Sequence, residues 1–137
     1  MSSLKKILDE DYVKVKLSLL WLFVVLNYIY ADILTLMDTT ALNEILSGTL
    51  GFTPTYLFLG ALLMEIPIAM IFLSLVLSHK ANRWANIFAG IVKTLAVSAS
   101  LFVGTLSLYY AFFVLIEVVT TVSIVCIAWK WTKPKNI

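Results

Sequence analysis

Four continuous apolar runs, each near the length a helix needs to cross a bilayer, constrain this chain more than any other feature. They cover residues 17–37, 55–78, 85–106 and 108–129. A helix requires ~20 apolar residues to traverse a hydrocarbon core of ~30 Å. The runs do not alternate polar with apolar, so they predict helices, which satisfy their own backbone polar groups, rather than barrel strands. The expected fold class is all-α: a polytopic membrane protein, residues 1–137 forming one antiparallel four-helix transmembrane bundle. Residues 38–54, in the first loop, predict a short helix on the outer surface, with Thr39 and Thr40 as caps and Gly48 and Gly51 after it. Only a residue or two near Ser107 joins the last two spans, which predicts a tight hairpin.

Composition excludes the alternatives. Hydrophobic residues make up 61% of the chain and charged ones 13%, against ~25% charged in a soluble domain. A chain of 137 residues has too little interior to hide that surface from water, and it is too apolar to be disordered. A net charge of +2 with no basic helix excludes nucleic acid as a partner. One cysteine, Cys126, excludes an internal disulfide framework. A lone His79 and no cysteine cluster argue against zinc, haem or iron–sulfur centres, so no cofactor and no metal site is expected.

The cations predict orientation. Lys5, Lys6, Lys14, Lys16, Lys80, Arg83, Lys130, Lys133 and Lys135 all fall on one side of the four runs, and none falls on the other. Positive residues stay inside, so both termini are expected to be cytoplasmic, with the protein integral to the plasma (inner) membrane. Trp84, Trp129 and Trp131 mark the inner interface, and Tyr56, Tyr109 and Tyr110 the outer one. Residues 3–16 mix charge with Leu4, Ile7, Leu8 and Tyr12; an interfacial helix and a solvated tail both fit them. The first run is too long for a signal peptide and carries Asn27 and Asp32, so it is read as a retained span.

One ionisable residue lies in each run: Asp32, Glu65, Lys93 and Glu117. A charge at mid-bilayer costs ~2.5–3.5 kcal/mol on insertion scales, so these groups are expected to face an interior shared site. At ~1.5 Å per residue, Glu65 and Glu117 lie about 15 and 13 Å below the outer ends of their helices, and Asp32 about 8 Å below. Lys93 comes within reach of the Glu65/Glu117 level. One lysine against three acids does not balance: a carboxyl is protonated, a cation is bound, or water enters. Pro67 cannot donate to the Leu63 carbonyl, which predicts a kink and a free acceptor beside Glu65. Asn27 is expected to donate a hydrogen bond between helices.

The stretches LNYIYADILTLMD (26–38), LLMEIPIAMIFLS (62–74), ANRWANIFAG (81–90) and YAFFVLIEVVTTVSIVCIAWKW (110–131) resemble a family of small four-span prokaryotic membrane proteins of unknown function. That family is similar in layout to the DoxX-like proteins. The resemblance implies a four-helix membrane bundle and no particular activity. Small multidrug transporters share the size and acid count alone. Sterol-isomerase and sigma-2-like proteins share the chemistry of paired membrane acids and no motif.

The leading functional expectation is a site that binds or transports a small cationic or protonatable molecule, or protons. Asp32 and Glu65 accept the charge, Lys93 and Glu117 tune them, and Tyr28 and Tyr110 supply hydrogen bonds or cation–π contacts. The second is an accessory or structural membrane subunit, DoxX-like, with no activity of its own. A membrane enzyme acting on a lipid-soluble substrate is third, with a non-enzyme favoured. The partners expected are the lipid bilayer, a small cationic or lipophilic ligand, and a second copy or a partner membrane subunit.

Overall fold

In the computed structural model, residues 2–132 are described; Lys133 and Lys135, counted above for orientation, lie outside them. Five helices follow in chain order: α1 (Ser2–Met37), α2 (Thr39–Leu46), α3 (Pro54–Val76), α4 (His79–Ser100) and α5 (Leu108–Lys130). No strand interrupts them among the described residues. Residues 3–16, left open between two readings, are the first part of α1. At ~1.5 Å per residue α1 runs ~54 Å, well beyond a hydrocarbon core.

Local chemistry sets the boundaries. Asp38, rather than Thr39 or Thr40, caps α2: its Oδ1 accepts from the N–H groups of Thr40 at 2.9 Å and Ala41 at 3.5 Å. Thr53 caps α3 by accepting from the Tyr56 N–H at 3.2 Å, and Pro54 follows at the first turn, where a missing donor costs nothing. Between α4 and α5 the chain needs residues 101–107, not the one or two expected, and Gly104 turns there with φ 70°.

The four-span reading requires correction. Three helices are long and apolar enough to cross a membrane: Ile7–Met37 within α1, then Pro54–Val76 and Leu108–Lys130. The run at 85–106 belongs to α4, which starts earlier, at His79, and ends at Ser100. Its 22 residues are long enough, but they include Lys80, Asn82, Arg83, Asn86 and Lys93. Reading the apolar residues from 85 onward skipped that polar first turn and ran on into the following turn.

The helices pack α3 against α1, α1 against α5, α5 against α4 and α4 against α3. α4 is inside out: Asn82, Asn86 and Lys93 are buried, while Trp84, Phe88, Ile91 and Leu95 are exposed in one stripe. α1, α3 and α5 likewise turn Leu26, Ile33, Phe58, Leu62, Phe112 and Leu115 outward. An apolar exterior of this extent fits lipid, not water. The α4–α5 contact is close because Gly90 has no side chain; a Cβ there would stand 2.6 Å from Val125 Cγ2 and 3.3 Å from the Thr121 carbonyl.

The core lies toward the end where α1 around Val13 meets the end of α5 near Trp131. Leu17, Trp21, Val24, Met70, Ala89 and Ile124 cluster there, with Val13 and Trp131 packed against them. A buried polar network ties α1, α3 and α4 at the same level. Trp21 Nε1 donates to Asn86 Oδ1 at 2.7 Å, Asn86 Nδ2 to Asn82 Oδ1 at 2.6 Å, and Asn82 Nδ2 to the Ser74 carbonyl at 2.6 Å. Ser18 Oγ donates to the Ile71 carbonyl at 2.7 Å. Arg83 donates to the carbonyls of Ala128 and Trp129, closing the C-terminal end of α5. The His79 ring packs on Trp131 at 4.5 Å.

Candidate functional site

Above that core the packing opens into a chamber of about 210 Å³. α1 supplies Tyr28 and Asp32, α4 supplies Lys93 and Ser100, and α5 supplies Tyr110 and Glu117. Helical spacing places each pair on one face: 28 and 32 one turn apart, 93 and 100 two turns, 110 and 117 two turns. Leu63 and Met64 of α3 complete an apolar wall.

Pro67 explains the position of Lys93. It lies inside α3, buried, and has no N–H to give the Leu63 carbonyl. Lys93 Nζ donates to that oxygen at 3.4 Å, and it stands 4.2 Å from the centroid of the Tyr28 ring. The acceptor freed by the proline thus orients the lysine rather than the neighbouring Glu65.

Glu117 and Lys93 are 3% and 2% exposed, so both are removed from the outer surface. No ion pair joins Lys93 to Glu117 or Asp32 among the described residues, although both acids are near enough for charge interaction. The Glu117 carboxylate accepts no hydrogen bond from any described residue, and it borders the chamber. The Tyr28 hydroxyl is buried without a hydrogen-bond partner.

Five of the six binding residues expected from the sequence therefore meet: Tyr28, Asp32, Lys93, Tyr110 and Glu117. Glu65 does not. It is exposed on the outside of α3 and does not line the chamber. Asn27 donates to Phe23 of its own helix at 2.8 Å, so it joins no second helix by that bond. The interhelical polar bonds missed in the sequence include those of Trp21, Ser74, Asn82 and Asn86, of Ser18 with Ile71, and of Thr94 with Thr121. The signal for the first group was the one-turn spacing of Asn82 and Asn86.

A second, larger cavity of about 340 Å³ lies toward α2 and shares Asp32, Tyr56, Ser100 and Tyr110 with the chamber. Its rim is latched by α2. Glu44 accepts from the Thr105 N–H at 3.2 Å and from the Thr105 hydroxyl. Asp38 Oδ2 accepts from Ser107 Oγ at 3.2 Å. Hydrogen bonds from Thr40 and Ala41, and from Ser107, hold the Asp38 carboxyl below the usual carboxylate range. Among the described residues no group of three His, Cys, Asp or Glu is placed to hold a metal ion.

No curated protein and no solved structure matches the chain, so no match supports the likeness in layout to DoxX-like proteins. The resemblance to a family without known function is the part that stands. A profile for a family of unknown function, DUF6326, matches residues 5–137, nearly the full length, and the chain belongs to that family.

Proposed function

We propose that the protein is an integral membrane protein whose partly open chamber binds a small cationic or protonatable molecule, with the buried Glu117 and the exposed Asp32 as the charge acceptors. The observation that carries this reading is Glu117: a carboxylate 3% exposed, bordering a cavity, with no hydrogen-bond donor among the described residues. A buried carboxylate left without donors is costly, and a bound cation supplies what is missing. The chamber holds two carboxyls against one ammonium, and that ammonium is turned to the Leu63 carbonyl and the Tyr28 face. Glu65 has no part in this site.

The basic end of the molecule, with Lys14, Lys16, Lys80, Arg83 and Lys130, faces the cytoplasm in this proposal, and the inner membrane is its place. The α2 end and its cavity then face outward.

The test is ethylamine binding to the purified protein in nanodiscs, with empty nanodiscs subtracted. Glu117→Gln is expected to weaken binding at least tenfold, since removing one member of a desolvated charge pair costs ~2–5 kcal/mol. Asp32→Asn weakens it less, and Glu65→Gln leaves it unchanged. Equal binding by the wild type and Glu117→Gln would refute the reading.

A further inference from the structure

The cavity beside α2 and the chamber beneath it differ in what they leave for a ligand. Of the carboxylates lining the cavity, Glu44 is already used by the Thr105 N–H and hydroxyl, and Asp32 stands at the junction with the chamber; Asp38, beside the cavity, is used by Thr40, Ala41 and Ser107. Tyr109 spends its hydroxyl on Thr35 Oγ1 at 3.4 Å. Apart from Asp32 and Tyr110 at the junction with the chamber, the wall toward the open space is mainly apolar or aromatic: Leu36, Ile45, Leu50, Phe52, Tyr56 and Val103. The Phe52 and Tyr56 rings stack there, 5.1 Å apart and 18° from parallel. In the chamber the order is reversed, because Glu117 has no donor among the described residues and Asp32 stands where the two spaces meet. Glu117 lies seven residues along α5 from Tyr110, about 10 Å by helical rise.

From this polarity we infer that the ligand is an amphiphilic amine, its ammonium in the chamber at Glu117 and Asp32 and its apolar chain in the cavity against Leu50, Phe52 and Tyr56. The inference rests on the proposed function and adds the ligand class. A small hydrated ion would use the chamber and leave the cavity's apolar wall wet. A neutral lipid would use the wall and leave Glu117 without a partner.

Four primary amines of increasing chain length test this: ethylamine, butylamine, hexylamine and octylamine. Each is titrated into the protein in nanodiscs with empty nanodiscs subtracted, and hexanol serves as the uncharged control. Affinity is expected to rise up to about fourfold for each methylene that reaches the wall, the transfer value for one buried CH₂. Phe52→Ser and Leu50→Ala are expected to remove most of that gain while leaving ethylamine binding unchanged, which also shows that both variants fold. Hexanol is expected to bind far more weakly than hexylamine. If ethylamine binds through Glu117 but added methylenes bring no gain, or a gain that the wall variants keep, the amphiphile inference is overturned and the proposed function stands. If hexanol and hexylamine bind equally and Glu117→Gln changes neither, both fall.

Discussion

The Lys93 ammonium gives its hydrogen bond to a backbone carbonyl, not to an acid, and that choice defines the chamber's charge. The donor-less carbonyl belongs to Leu63, four residues before Pro67. Sequence reasoning found the proline, the freed acceptor and the lysine separately, but it placed the acceptor beside Glu65. Lys93→Met removes the donor and leaves the Leu63 carbonyl unpaired. The expected cost is ~1–3 kcal/mol, read as a lower Tm in detergent; an unchanged or higher Tm would contradict the pairing. Asp38 offers a pH-dependent test outside the membrane spans. Its folded pKa is lowered, chiefly by the Thr40 N–H, so its contribution to stability is complete above the unfolded value of ~3.9. That contribution is lost as pH falls through the lower, folded value. Asp38→Asn is therefore expected to lower Tm at pH 7, and the gap to the wild type should close in strong acid. A gap that stays constant with pH would show that the Asp38 charge contributes nothing.

At the scale of the element, α4 shows why the sequence was legible in part. The long apolar runs of α1, α3 and α5 identify themselves, because length and composition alone mark a span. In α4 a stripe of Trp84, Phe88, Ile91 and Leu95 faces out while Asn82, Asn86 and Lys93 face in, and only the partner helices determine which face is buried. The side of α3 that faces inward was equally hidden, since that helix is apolar on every side and its pattern gives Glu65 no direction. Gly90 was visible in the sequence as a small residue, but its contact with Val125 and Thr121 was not. Gly90→Ala is expected to separate α4 from α5 and cost ~1–3 kcal/mol by overpacking. Adding Val125→Ala should restore part of the loss. A Gly90→Ala protein as stable as the wild type would mean that the close approach is not needed.

For the whole molecule, the arrangement puts charge and exposure in reverse of a water-soluble protein. Apolar side chains cover the outside, and the polar groups of α1, α4 and α5 meet within. His79 against Trp131 and Arg83 against Trp129 show that α5 ends beside the start of α4, at the basic end. Because α4 packs between α3 and α5 and runs back from this end to the α2 end, Ser47 and Thr132 lie at opposite ends of the helices. Reporter fusions at Ser47 and after Thr132 are expected to mark opposite sides of the membrane, and the same side for both would contradict the proposed orientation. In the proposed function a cation takes the place beside Glu117 for which the described residues provide no donor. Anomalous diffraction from crystals grown with 4-bromobenzylamine locates such a cation directly. Bromine density is expected at the junction marked by Asp32, Tyr56 and Tyr110, with the amine nitrogen at Glu117 and no density in crystals of Glu117→Gln. Bromine on the outside of α3 near Glu65, or at the junction in both proteins alike, would contradict it.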